Sequence, residues 1–567
     1  MPNKILLSDS CITVNCNRGD LETPSLLSQF YPVHKNRIGT EYKLSIHKAP
    51  EVLRALRGME EDNEIFAAAP LKVREYFLRE LRARDDLDAL LNDSSLSTST
   101  EINEYLTLMP HQQLARNISN IRDRFCFFYD TRTGKTPMSL AIINDDIKKH
   151  PEHKWLILCP LILIENAWIP DAKEFFPDMK IVSCHASTKA KRLKQIEQDA
   201  NVYVMNIEAF VKFKEYFDNK HLHGCFVDES STMKSNSSIV SKAVVEFAQT
   251  LKRFYLLSGT PAPNGEYEYY MQLKAIDFYC VPSSYTQFKE KYFYNISFNP
   301  QFEKLVIRPD MKDELYALIK KYALYVDKED VLTTPGRTFH KYIFELPADN
   351  MKKYRTLKNK LYLELGEDVV ITAPSTAATL NKLNQFTSGF IIDTQAKKEN
   401  KYNEEQKQET YLFDTSRFDE LENLLRTLGD EQVLIWANYH KEFEVISERL
   451  GNRCRCIYGK TKIEEKNEAI RLFKEGKIQY LVANPASADK GLTLTNAHIA
   501  IYFSLNYSYE LFKQSMERIY GDIKKQPKHC HYYIFIARNT IDAVLYDDVL
   551  TGKQDTSTAV LNHLKAQ

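Results

Sequence analysis

One loop in the first half of the chain has the residue types and the spacing of a phosphate-binding site. The apolar run 125–129 predicts a strand, and the segment 130–136 (DTRTGKT) leads from it into a helical pattern. In such a strand–loop–helix arrangement, backbone N–H groups at the helix N-terminus can surround a polyphosphate. Lys135 would reach the β and γ phosphates of ATP, and the Thr136 hydroxyl would bind Mg²⁺.

This loop departs from the strict pattern G-x-x-x-x-G-K-[ST] at two positions. Tyr129 stands where the first glycine is expected, and Arg132 occupies another position that is often glycine. Because Gly-Lys-Thr alone can be an ordinary turn, the loop needs support from elsewhere in the chain. We assign cofactor binding to the end of the loop, which comprises Arg132, Thr133, Gly134, Lys135 and Thr136.

Two adjacent carboxylates provide that support. Asp228 and Glu229 follow the apolar run 225–227, which predicts a buried strand. Ligands of α/β sheets bind at the carboxyl ends of the strands. There Asp228 can hold Mg²⁺, and Glu229 can orient or deprotonate the water that attacks the γ-phosphate. The alternative, two exposed acids at a strand end, is disfavoured by the phosphate loop upstream.

A third candidate element is the segment 257–261 (LSGTP), which again comes directly after an apolar strand pattern. Ser258 and Thr260 carry small hydroxyl groups that can hydrogen-bond the carboxylates of a nucleotide site and sense the γ-phosphate. Taken alone, the segment is equally consistent with a plain strand-ending turn.

The strands that must position these loops alternate with helical patterns in two parts of the chain. Several runs are apolar on both faces, as parallel strands covered by helices must be. We therefore predict an α/β fold with two doubly wound parallel-sheet domains. The predicted strands are 125–129, 155–159, 202–205, 225–227 and 254–257, then 433–436, 480–483, 499–503 and 532–536.

The remaining patterns divide the chain into four segments. The first hundred residues contain strand patterns at 4–16 and 42–47 and helical patterns at 49–58 and 70–91. A helical pattern rich in Tyr, Phe and Lys separates the two α/β parts. The predicted segments are a small N-terminal α+β domain (1–100), a first parallel-sheet domain (101–275), helical protrusions with a linker (276–415) and a second parallel-sheet domain with a C-terminal tail (416–567).

Composition limits the class of protein. The 567 residues are too many for one core, and no run of eighteen apolar residues predicts a membrane span. The start of the chain has no long apolar signal core, and the ten cysteines form no Cys-x-x-Cys pair, so we expect a cytoplasmic protein of a bacterial or phage-infected cell. Lys+Arg and Asp+Glu both total 76, which argues against a passive protein that coats DNA by charge alone.

The order of the motifs resembles the Swi/Snf-like branch of the superfamily-two helicases and translocases, including its phage-type members. The resemblance runs from about residue 105 to 550 and implies two RecA-like domains with helical insertions. Motif-like segments of the first half are 108–112 (LMPHQ), 130–136, 158–161 (LCPL), 166–168 (NAW), 206–208 (NIE), 228–231 (DESS) and 257–261. Those of the second half are 433–436 (VLIW), 486–494 (ASADKGLTL), 514–521 (QSMERIYG) and 539–542 (NTID).

This resemblance implies roles that spacing alone does not identify. Gln112 is expected to contact adenine, and Gly491 and Gln514 are expected to belong to the nucleotide site. Arg518 is expected to act in catalysis together with the phosphate-loop lysine and the two acids. The residues implied to lie along the nucleic acid are Pro160, Asn206, Asn438 and Ser487.

Gly521 is the most serious departure from the family. In the family, the last motif, Q-x-x-x-R-x-x-R, has at this position an arginine finger that stabilises charge on the transferred phosphate. Glycine cannot replace it, and Lys524 or Lys525 would bring a charge without the bidentate guanidinium. Slow hydrolysis, or a site completed by a partner, therefore remains open.

Three functions follow as hypotheses. The first is an ATP-driven translocase on double-stranded or branched DNA, active in branch migration, recombination or repair and indifferent to sequence because its contacts are mainly to phosphates. The segment 384–389 (NQFTSG), common in the family, favours duplex DNA. The second is an ATP-binding clamp with weak turnover, and the third is a strand-separating or RNA helicase. The N-terminal domain would recognise the DNA structure or bind a protein partner.

Overall fold

The computed structural model forms two compact units that divide after Val331. It describes most of 98–547, and before residue 98 only the segments 2–7, 11–16, 34–35, 41–45 and 86–91. Between 98 and 547 it leaves out residues 219, 279, 297–304, 361, 365–369, 373–375, 393–409, 488–492 and 525. The helix predicted at 49–58, most of that predicted at 70–91, Gly491 and Lys525 lie outside the described residues.

A small antiparallel sheet lies at the start of the chain. Its strands are β1 (Pro2–Leu7), β2 (Cys11–Cys16), β3 (His34–Lys35) and β4 (Glu41–Ser45). They pair in the order β1-β2-β4-β3, with Ile5 opposite Val14 and Val14 opposite Tyr42. Val14 and Tyr42 are both buried.

Seven parallel strands form the main sheet of the first unit, in the order β15-β7-β12-β11-β8-β10-β9. Two antiparallel hairpins, β5–β6 and β13–β14, accompany it. The strands are β5 (Thr100–Asn103), β6 (Leu106–Leu108), β7 (Arg124–Tyr129), β8 (Trp155–Cys159), β9 (Ile181–Ser183), β10 (Val202–Asn206), β11 (Gly224–Asp228), β12 (Arg253–Leu257), β13 (Phe293–Asn295), β14 (Leu305–Ile307) and β15 (Ala323–Val326).

Helices connect these strands and cover both faces of the sheet. Alternate side chains of one strand enter different cores: Phe127 packs in one and Phe128 in the other. The helices are α1 (Pro110–Ile121), α2 (Lys135–Lys149), α3 (Leu161–Leu163), α4 (Ile169–Phe175), α5 (Lys189–Glu197), α6 (Ile207–Asp218), α7 (Ile239–Ala248), α8 (Tyr269–Ile276), α9 (Tyr285–Tyr292), α10 (Lys312–Tyr322) and α11 (Lys328–Val331). A π-helical turn, Ile164–Trp168, joins α3 to α4.

The second unit contains a parallel sheet of six strands, in the order β16-β25-β24-β21-β23-β22. Its strands bury apolar side chains on both faces, as the sequence predicts for a covered sheet. The strands of this unit, including two short antiparallel pairs, are β16 (Arg337–Phe344), β17 (Tyr362–Glu364), β18 (Val370–Thr372), β19 (Phe390–Ile392), β20 (Thr410–Leu412), β21 (Val433–Trp436), β22 (Cys454–Ile457), β23 (Tyr480–Ala483), β24 (Ile499–Tyr502) and β25 (Cys530–Ala537).

Seven helices accompany the second sheet in the described part of the chain. Arg417 and Asp542, on two of them, form an ion pair of 2.9 Å that is almost completely buried. The helices are α12 (Ala348–Lys360), α13 (Thr376–Thr387), α14 (Ser416–Leu428), α15 (His440–Leu450), α16 (Ile463–Lys474), α17 (Tyr509–Met516) and α18 (Ile541–Val544).

These two parallel sheets confirm the predicted α/β fold and all nine predicted strands of the two main sheets. The segment 276–415 is not only helical, however, because β15 completes the first sheet and β16 the second. The domain boundaries at 275 and 415 stay predictions beside the observed division after Val331. Among the described residues, no helix combines the length and the apolar character needed to cross a bilayer.

Candidate functional site

The loops predicted to hold the nucleotide follow three neighbouring strands of the first sheet. Strand β7 lies beside β12, and β12 lies beside β11. Phe127 of β7 pairs with Leu257 of β12, which pairs in turn with Asp228 of β11. Because neighbouring strands lie about 4.8 Å apart, the phosphate loop, the Ser258 loop and the two acids meet at one edge. This is the carboxyl edge, where ligands of α/β sheets bind.

Bonds to its own backbone shape the phosphate loop. Thr133 Oγ1 donates to Asp130 O at 2.7 Å and closes the turn. The Lys135 ammonium donates to Tyr129 O at 2.9 Å and to Asp130 O at 3.1 Å. Helix α2 begins at Lys135, so its first backbone N–H groups, which have no partner within the helix, face the loop. The structure thus brings the predicted lysine and the helix N-terminus together.

Gly134 allows side chains of α1 to brace the loop. Its φ of 79° is left-handed, as is the φ of 64° at Arg132. Gln112 Nε2 donates to Thr133 O at 3.1 Å and to Gly134 O at 3.2 Å, and His111 Nε2 lies 2.7 Å from Thr133 O. Gln112 therefore supports the phosphate loop, and its contact with adenine stays a prediction.

Asp228 is a buried carboxylate that accepts one hydrogen bond at each oxygen. Trp168 Nε1 donates to Oδ2 at 3.1 Å, and the Glu229 backbone N–H donates to Oδ1 at 2.9 Å. Burial, and then the charge of Glu229, raise the pKa of Asp228 to about 6, although Lys135 and the two hydrogen bonds act in the opposite direction. A bound cation would stabilise the charged carboxylate, so the site suits a divalent metal.

Glu229 turns the chain out of strand β11. Its φ of 53° is left-handed, which costs a residue with a side chain roughly 1–2 kcal/mol. Strained residues of this kind concentrate at functional sites. The Thr232 backbone N–H and Oγ1 both donate to Glu229 O at 3.0 Å and hold the turn that follows. The strain is consistent with a side chain that must point to a fixed place.

The Ser258 loop packs directly on the phosphate loop. A Cβ atom on Gly259 would lie 3.4 Å from the backbone nitrogen of Thr131. Ser258 is fully buried, and its Oγ accepts the Thr260 backbone N–H at 3.1 Å. Both predicted sensor residues therefore lie beside the phosphate loop, and their action on the γ-phosphate stays a prediction.

Gln272 of α8 joins the acid loop to the Ser258 loop. It accepts a hydrogen bond from Ser230 Oγ at 2.7 Å and donates through Nε2 to Pro261 O at 2.7 Å. The Gln272 side chain is fully buried. One carboxamide thus fixes the spacing between the acid loop and the Ser258 loop, and the Ser258 loop lies next to the phosphate loop.

The donor set fits ATP together with Mg²⁺. Mg²⁺ prefers oxygen ligands, and the Asp228 carboxylate and the Thr136 hydroxyl in the first turn of α2 are the candidates. Lys135 supplies positive charge for the phosphates. Thr131 Oγ1, inside the phosphate loop, is buried and has no hydrogen-bond partner among the residues that the structure describes. An unused polar atom at this place is consistent with a loop built around a ligand.

Two residues predicted to contact DNA lie farther along the same edge. Pro160 follows Cys159, the last residue of β8, and Cys159 pairs with Asn206 at the end of β10. Asn206 Nδ2 donates to Glu208 Oε2 at 3.1 Å, while Asn206 Oδ1 is buried without a partner in the described part of the chain. The structure therefore brings Pro160 and Asn206 together.

The other two predicted contacts follow neighbouring strands of the second sheet, β21 and β23. Asn484 connects them, since its Nδ2 donates to Asn438 O at 3.4 Å and its Oδ1 accepts from Ser487 Oγ at 3.4 Å. Asn438 Nδ2 donates to Ser504 O at 2.9 Å and to Ser504 Oγ at 3.0 Å. Asn438 thus uses its amide hydrogens inside the fold, and its contact with DNA stays a prediction.

Helix α17 and the residues after it carry the last predicted site residues. Gln514 and Arg518 are each 8% exposed, and Gln514 Nε2 donates to Glu510 Oε1 at 3.3 Å. Arg518 O accepts the Leu494 backbone N–H at 2.8 Å. Gly521 is buried and does not have a positive φ. The backbone conformation at Gly521 is therefore one that an arginine can adopt.

A group of histidines lies at the opposite, amino edge of the first sheet. The rings of His153 and His223 stack 3.6 Å apart at an angle of 11°, and His153 Nδ1 lies 3.0 Å from Asp146 Oδ2. Arg253 Nη1 also lies 3.5 Å from Asp146 Oδ1. We interpret this group as an ionic network that covers the strand starts.

Sequence analysis missed the roles of three residues at the nucleotide edge, namely His111, Trp168 and Gln272. His111 directly precedes the predicted Gln112, and this position in the motif could have indicated its role. Trp168 belongs to a quoted motif, but its bond to Asp228 spans 60 residues of sequence. Gln272 gives no sequence signal, because a glutamine in a helix is usually exposed.

Comparison with known proteins gives two family matches. The model described as SNF2-related domain matches residues 125–409, which is half of the chain. The model described as helicase conserved C-terminal domain matches residues 416–520. Together they cover both parallel sheets apart from strand β25, which lies after residue 520.

Individual relatives are distant in sequence. Protein p41 of Acyrthosiphon pisum secondary endosymbiont phage 1 is 24% identical over 433 residues, 73% of this chain and 89% of that protein. The Homo sapiens SWI/SNF-related matrix-associated actin-dependent regulator of chromatin subfamily A member 1 is 22% identical over 429 residues, 72% of this chain and 39% of its own length. The chain thus spans about two fifths of this human relative.

Alignments with solved structures cover most of this chain. The Sulfolobus solfataricus SWI2/SNF2 ATPase core in complex with dsDNA aligns with 80% of this chain and 95% of its own chain. The sequence identity is 19% and the TM-score is 0.36.

Proposed function

Because this chain belongs to the SNF2-related family, we propose that it is an ATP-dependent motor that moves along double-stranded DNA. One observation carries the proposal: three neighbouring strands of the first sheet end at one edge, where β7 leads into the loop that carries Lys135, β11 ends on Asp228 and β12 is followed by Ser258. The phosphate loop, the two acids and the Ser258 loop supply groups that ATP hydrolysis uses.

Each of these residues has a chemical task in the proposed reaction. Lys135 would exchange its bonds to two backbone carbonyls for bonds to phosphate oxygens, which are stronger because both partners are charged. Glu229 would orient the attacking water and accept its proton. Asp228 and Thr136 would hold Mg²⁺, which supplies positive charge beside the β and γ phosphates. Arg518 would stabilise the charge that develops on the transferred phosphate.

We further propose branched DNA, such as forks and junctions, as the substrate on which the motor does its work. The predicted contact residues Pro160, Asn206, Asn438 and Ser487 would face phosphates, so binding would not depend on sequence. When a junction migrates between matching arms, each base pair that breaks is replaced by one that forms. Movement along a duplex arm can therefore drive the junction with little net cost in base pairing.

Gly521 favours a second candidate, an ATP-binding clamp with weak turnover. The residue stands where the family places an arginine finger, which can be worth a factor of about 10³–10⁵ in rate. Lys524, three residues later, is exposed and lacks the planar fork of a guanidinium. In this second case the protein would bind ATP and DNA and would hydrolyse ATP only slowly.

A triplex-displacement assay tests motion directly. We expect the natural chain to strip a triplex-forming oligonucleotide from duplex DNA only when ATP is present. Lys135→Ala should abolish ATP binding and displacement, and Glu229→Gln should bind ATP but release no phosphate, because the first removes the phosphate-binding charge and the second the base.

Lys154→Ala is the matched control, because Lys154 lies at the start of β8, at the amino edge, and pairs with Asp199 at 2.9 Å. It should keep displacement. Unchanged turnover in both site variants would contradict the assignment of the site. ATP binding without displacement by the natural chain would identify the clamp, and activity on single strands alone would identify a strand-separating helicase.

A further inference from the structure

The segment between the predicted DNA contact Pro160 and the nucleotide site contains a π-helical turn. Pro160 begins the short helix α3, which continues as the π turn Ile164–Trp168 and then as α4. π turns are rare and occur mostly as single turns inside α-helices, frequently at functional sites. This turn ends on Trp168, a residue whose role the predicted motifs do not explain.

This segment contacts both a strand that carries a proposed DNA contact and the helix that follows the phosphate loop. The π turn packs against β10, which ends on Asn206, and α4 packs against α2, which begins at Lys135. Ser183 Oγ at the end of β9 donates to Glu165 Oε1 of the turn at 2.7 Å. The turn therefore lies between the strands that carry the proposed DNA contacts and the helix that carries the phosphate loop.

Trp168 connects the turn to the proposed metal ligand. Its side chain is fully buried, and its indole Nε1 donates to Asp228 Oδ2 at 3.1 Å. An indole N–H can donate and cannot accept, so this bond fixes one oxygen of the carboxylate in a single orientation. The other oxygen is held by the Glu229 backbone N–H. A displacement of the π turn would move the indole donor relative to the Asp228 carboxylate.

We propose that Trp168 is a positioning residue that transmits DNA contact at Pro160 to Asp228 through the π turn. DNA held against Pro160 fixes the turn, the turn fixes the indole, and the indole holds Asp228 in the orientation that binds Mg²⁺ with the nucleotide. This inference rests on the proposed function and adds to it the route by which DNA would stimulate hydrolysis.

Trp168→Phe removes the N–H donor and keeps most of the apolar volume. We expect the Mg²⁺ concentration needed for half-maximal binding of a fluorescent ATP analogue to rise about tenfold, the typical effect of losing a hydrogen bond to a charged group. Binding of the analogue without Mg²⁺ should stay the same. The ratio of hydrolysis with duplex DNA to hydrolysis without DNA should fall several-fold.

Trp155→Phe is a closely matched control. Trp155 is also fully buried in the first unit, and its Nε1 donates to a carboxylate oxygen of Asp146 at 2.8 Å. That bond lies at the amino edge of the sheet, where β8 begins. If Trp168 only stabilised the fold, both variants would lower the thermal midpoint and neither would change the Mg²⁺ dependence. Equal Mg²⁺ dependence in Trp168→Phe and the natural chain would overturn the proposal.

A spectroscopic test does not depend on the Trp168 variant being folded. The chain has three tryptophans, so the double variant Trp155→Phe, Trp436→Phe leaves Trp168 as the one tryptophan, which can be excited at wavelengths that tyrosine does not absorb. We expect duplex DNA to change the emission of Trp168 before any nucleotide is added. An unchanged emission with DNA bound would contradict the proposed route.

The two levels of the proposal fail separately. If duplex DNA does not stimulate the natural chain, the motor is wrong, and a shift in Mg²⁺ dependence would still place Trp168 at the metal ligand. If duplex DNA stimulates the natural chain and Trp168→Phe equally, the motor stands and the role of Trp168 is wrong.

Discussion

Gly134 illustrates at the scale of one residue why the phosphate loop needs its glycine. The residue has a φ of 79°, and a Cβ atom there would lie 1.8 Å from Gln112 Nε2. Gln112 is a flexible side chain and could withdraw, but it would then lose its bonds to Thr133 O and Gly134 O. A side chain at 134 therefore adds backbone strain and also removes the brace of the loop.

Gly134→Ala should weaken ATP binding by at least about tenfold. The left-handed backbone costs an alanine roughly 1–2 kcal/mol, and each lost hydrogen bond costs about 1 kcal/mol more. Titration of the full chain with a fluorescent ATP analogue measures this change. Gly476→Ala is the control, because Gly476 has a φ of 71° and no atom within 4 Å of an added Cβ.

Both variants should lower the free energy of unfolding, since both place an alanine at a positive φ. Only Gly134→Ala should lower the affinity for ATP. Equal affinities in the two variants would mean that the loop does not bind the phosphates in the observed conformation.

At the scale of elements, the segment 384–389 is built into the core of the second unit. Thr387 Oγ1 donates to Asp542 Oδ1 at 3.0 Å and accepts from Arg417 Nη1 at 3.1 Å. Ser388 Oγ donates to Glu442 Oε1 at 2.6 Å. A segment predicted as part of a protruding helical insertion thus joins α13 to α14, α15 and α18 through buried polar groups.

Glu442 of α15 holds three loops with one carboxylate. Its Oε2 accepts from the Asn438 backbone N–H at 2.9 Å, the Tyr439 backbone N–H at 3.1 Å and Ser504 Oγ at 2.8 Å, in addition to the bond from Ser388. The side chain is fully buried, and this burial raises its pKa, against which the hydrogen bonds act. The loop that presents Asn438 therefore depends on Glu442.

Glu442→Ala should destabilise the second unit by about 3 kcal/mol or more, because the buried hydroxyls of Ser388 and Ser504 and two half-buried backbone N–H groups would lose this acceptor. Urea unfolding followed by hydrogen exchange of peptides from the second unit measures the change. Glu444→Ala on the same helix is the control, since Glu444 is exposed and pairs with Lys441 at 2.8 Å. Its effect should stay below about 1 kcal/mol. A small effect of both substitutions would refute the role of Glu442.

The parallel strands could be predicted because their signal is local. Runs such as 155–159 and 433–436 are apolar on both faces, and the observed strands have these bounds. Strand β15 was missed because its four residues continue directly from α10 and share its pattern. Strand β16 was missed because only Phe344 of its eight residues is buried. An edge strand of this kind lacks the continuous apolar run that identifies a covered strand.

For the candidate site, the sequence also predicted which residues share an edge but not which side chains hold them in place. Lys135, Asp228 and Ser258 follow apolar strands, so their common edge follows from the topology. The bonds from Gln112 to the phosphate loop and from Trp168 to Asp228 depend on how separate helices pack. Such contacts leave no periodic signal in the sequence, and they decide which way the functional side chains point.

At the scale of the whole molecule, the absence of net charge limits how DNA can be bound. With 76 basic and 76 acidic residues, the chain as a whole gives no long-range attraction to phosphates. Binding must come from a local set of contacts, and salt weakens such contacts. The decisive assay should therefore be run at about 50 mM salt, where phosphate contacts are stronger than at about 200 mM.

The rate of ATP hydrolysis by the full chain, with no nucleic acid, single-stranded DNA, duplex DNA or a four-way junction, tests the central claim most directly. Lys135→Ala serves as the blank. We expect duplex and junction DNA to raise the rate of ATP hydrolysis at least about tenfold over the rates with no nucleic acid and with single-stranded DNA. The rate of Lys135→Ala should be the same in all four conditions. A rate that is the same in all four conditions, with ATP still bound, would contradict a duplex DNA motor.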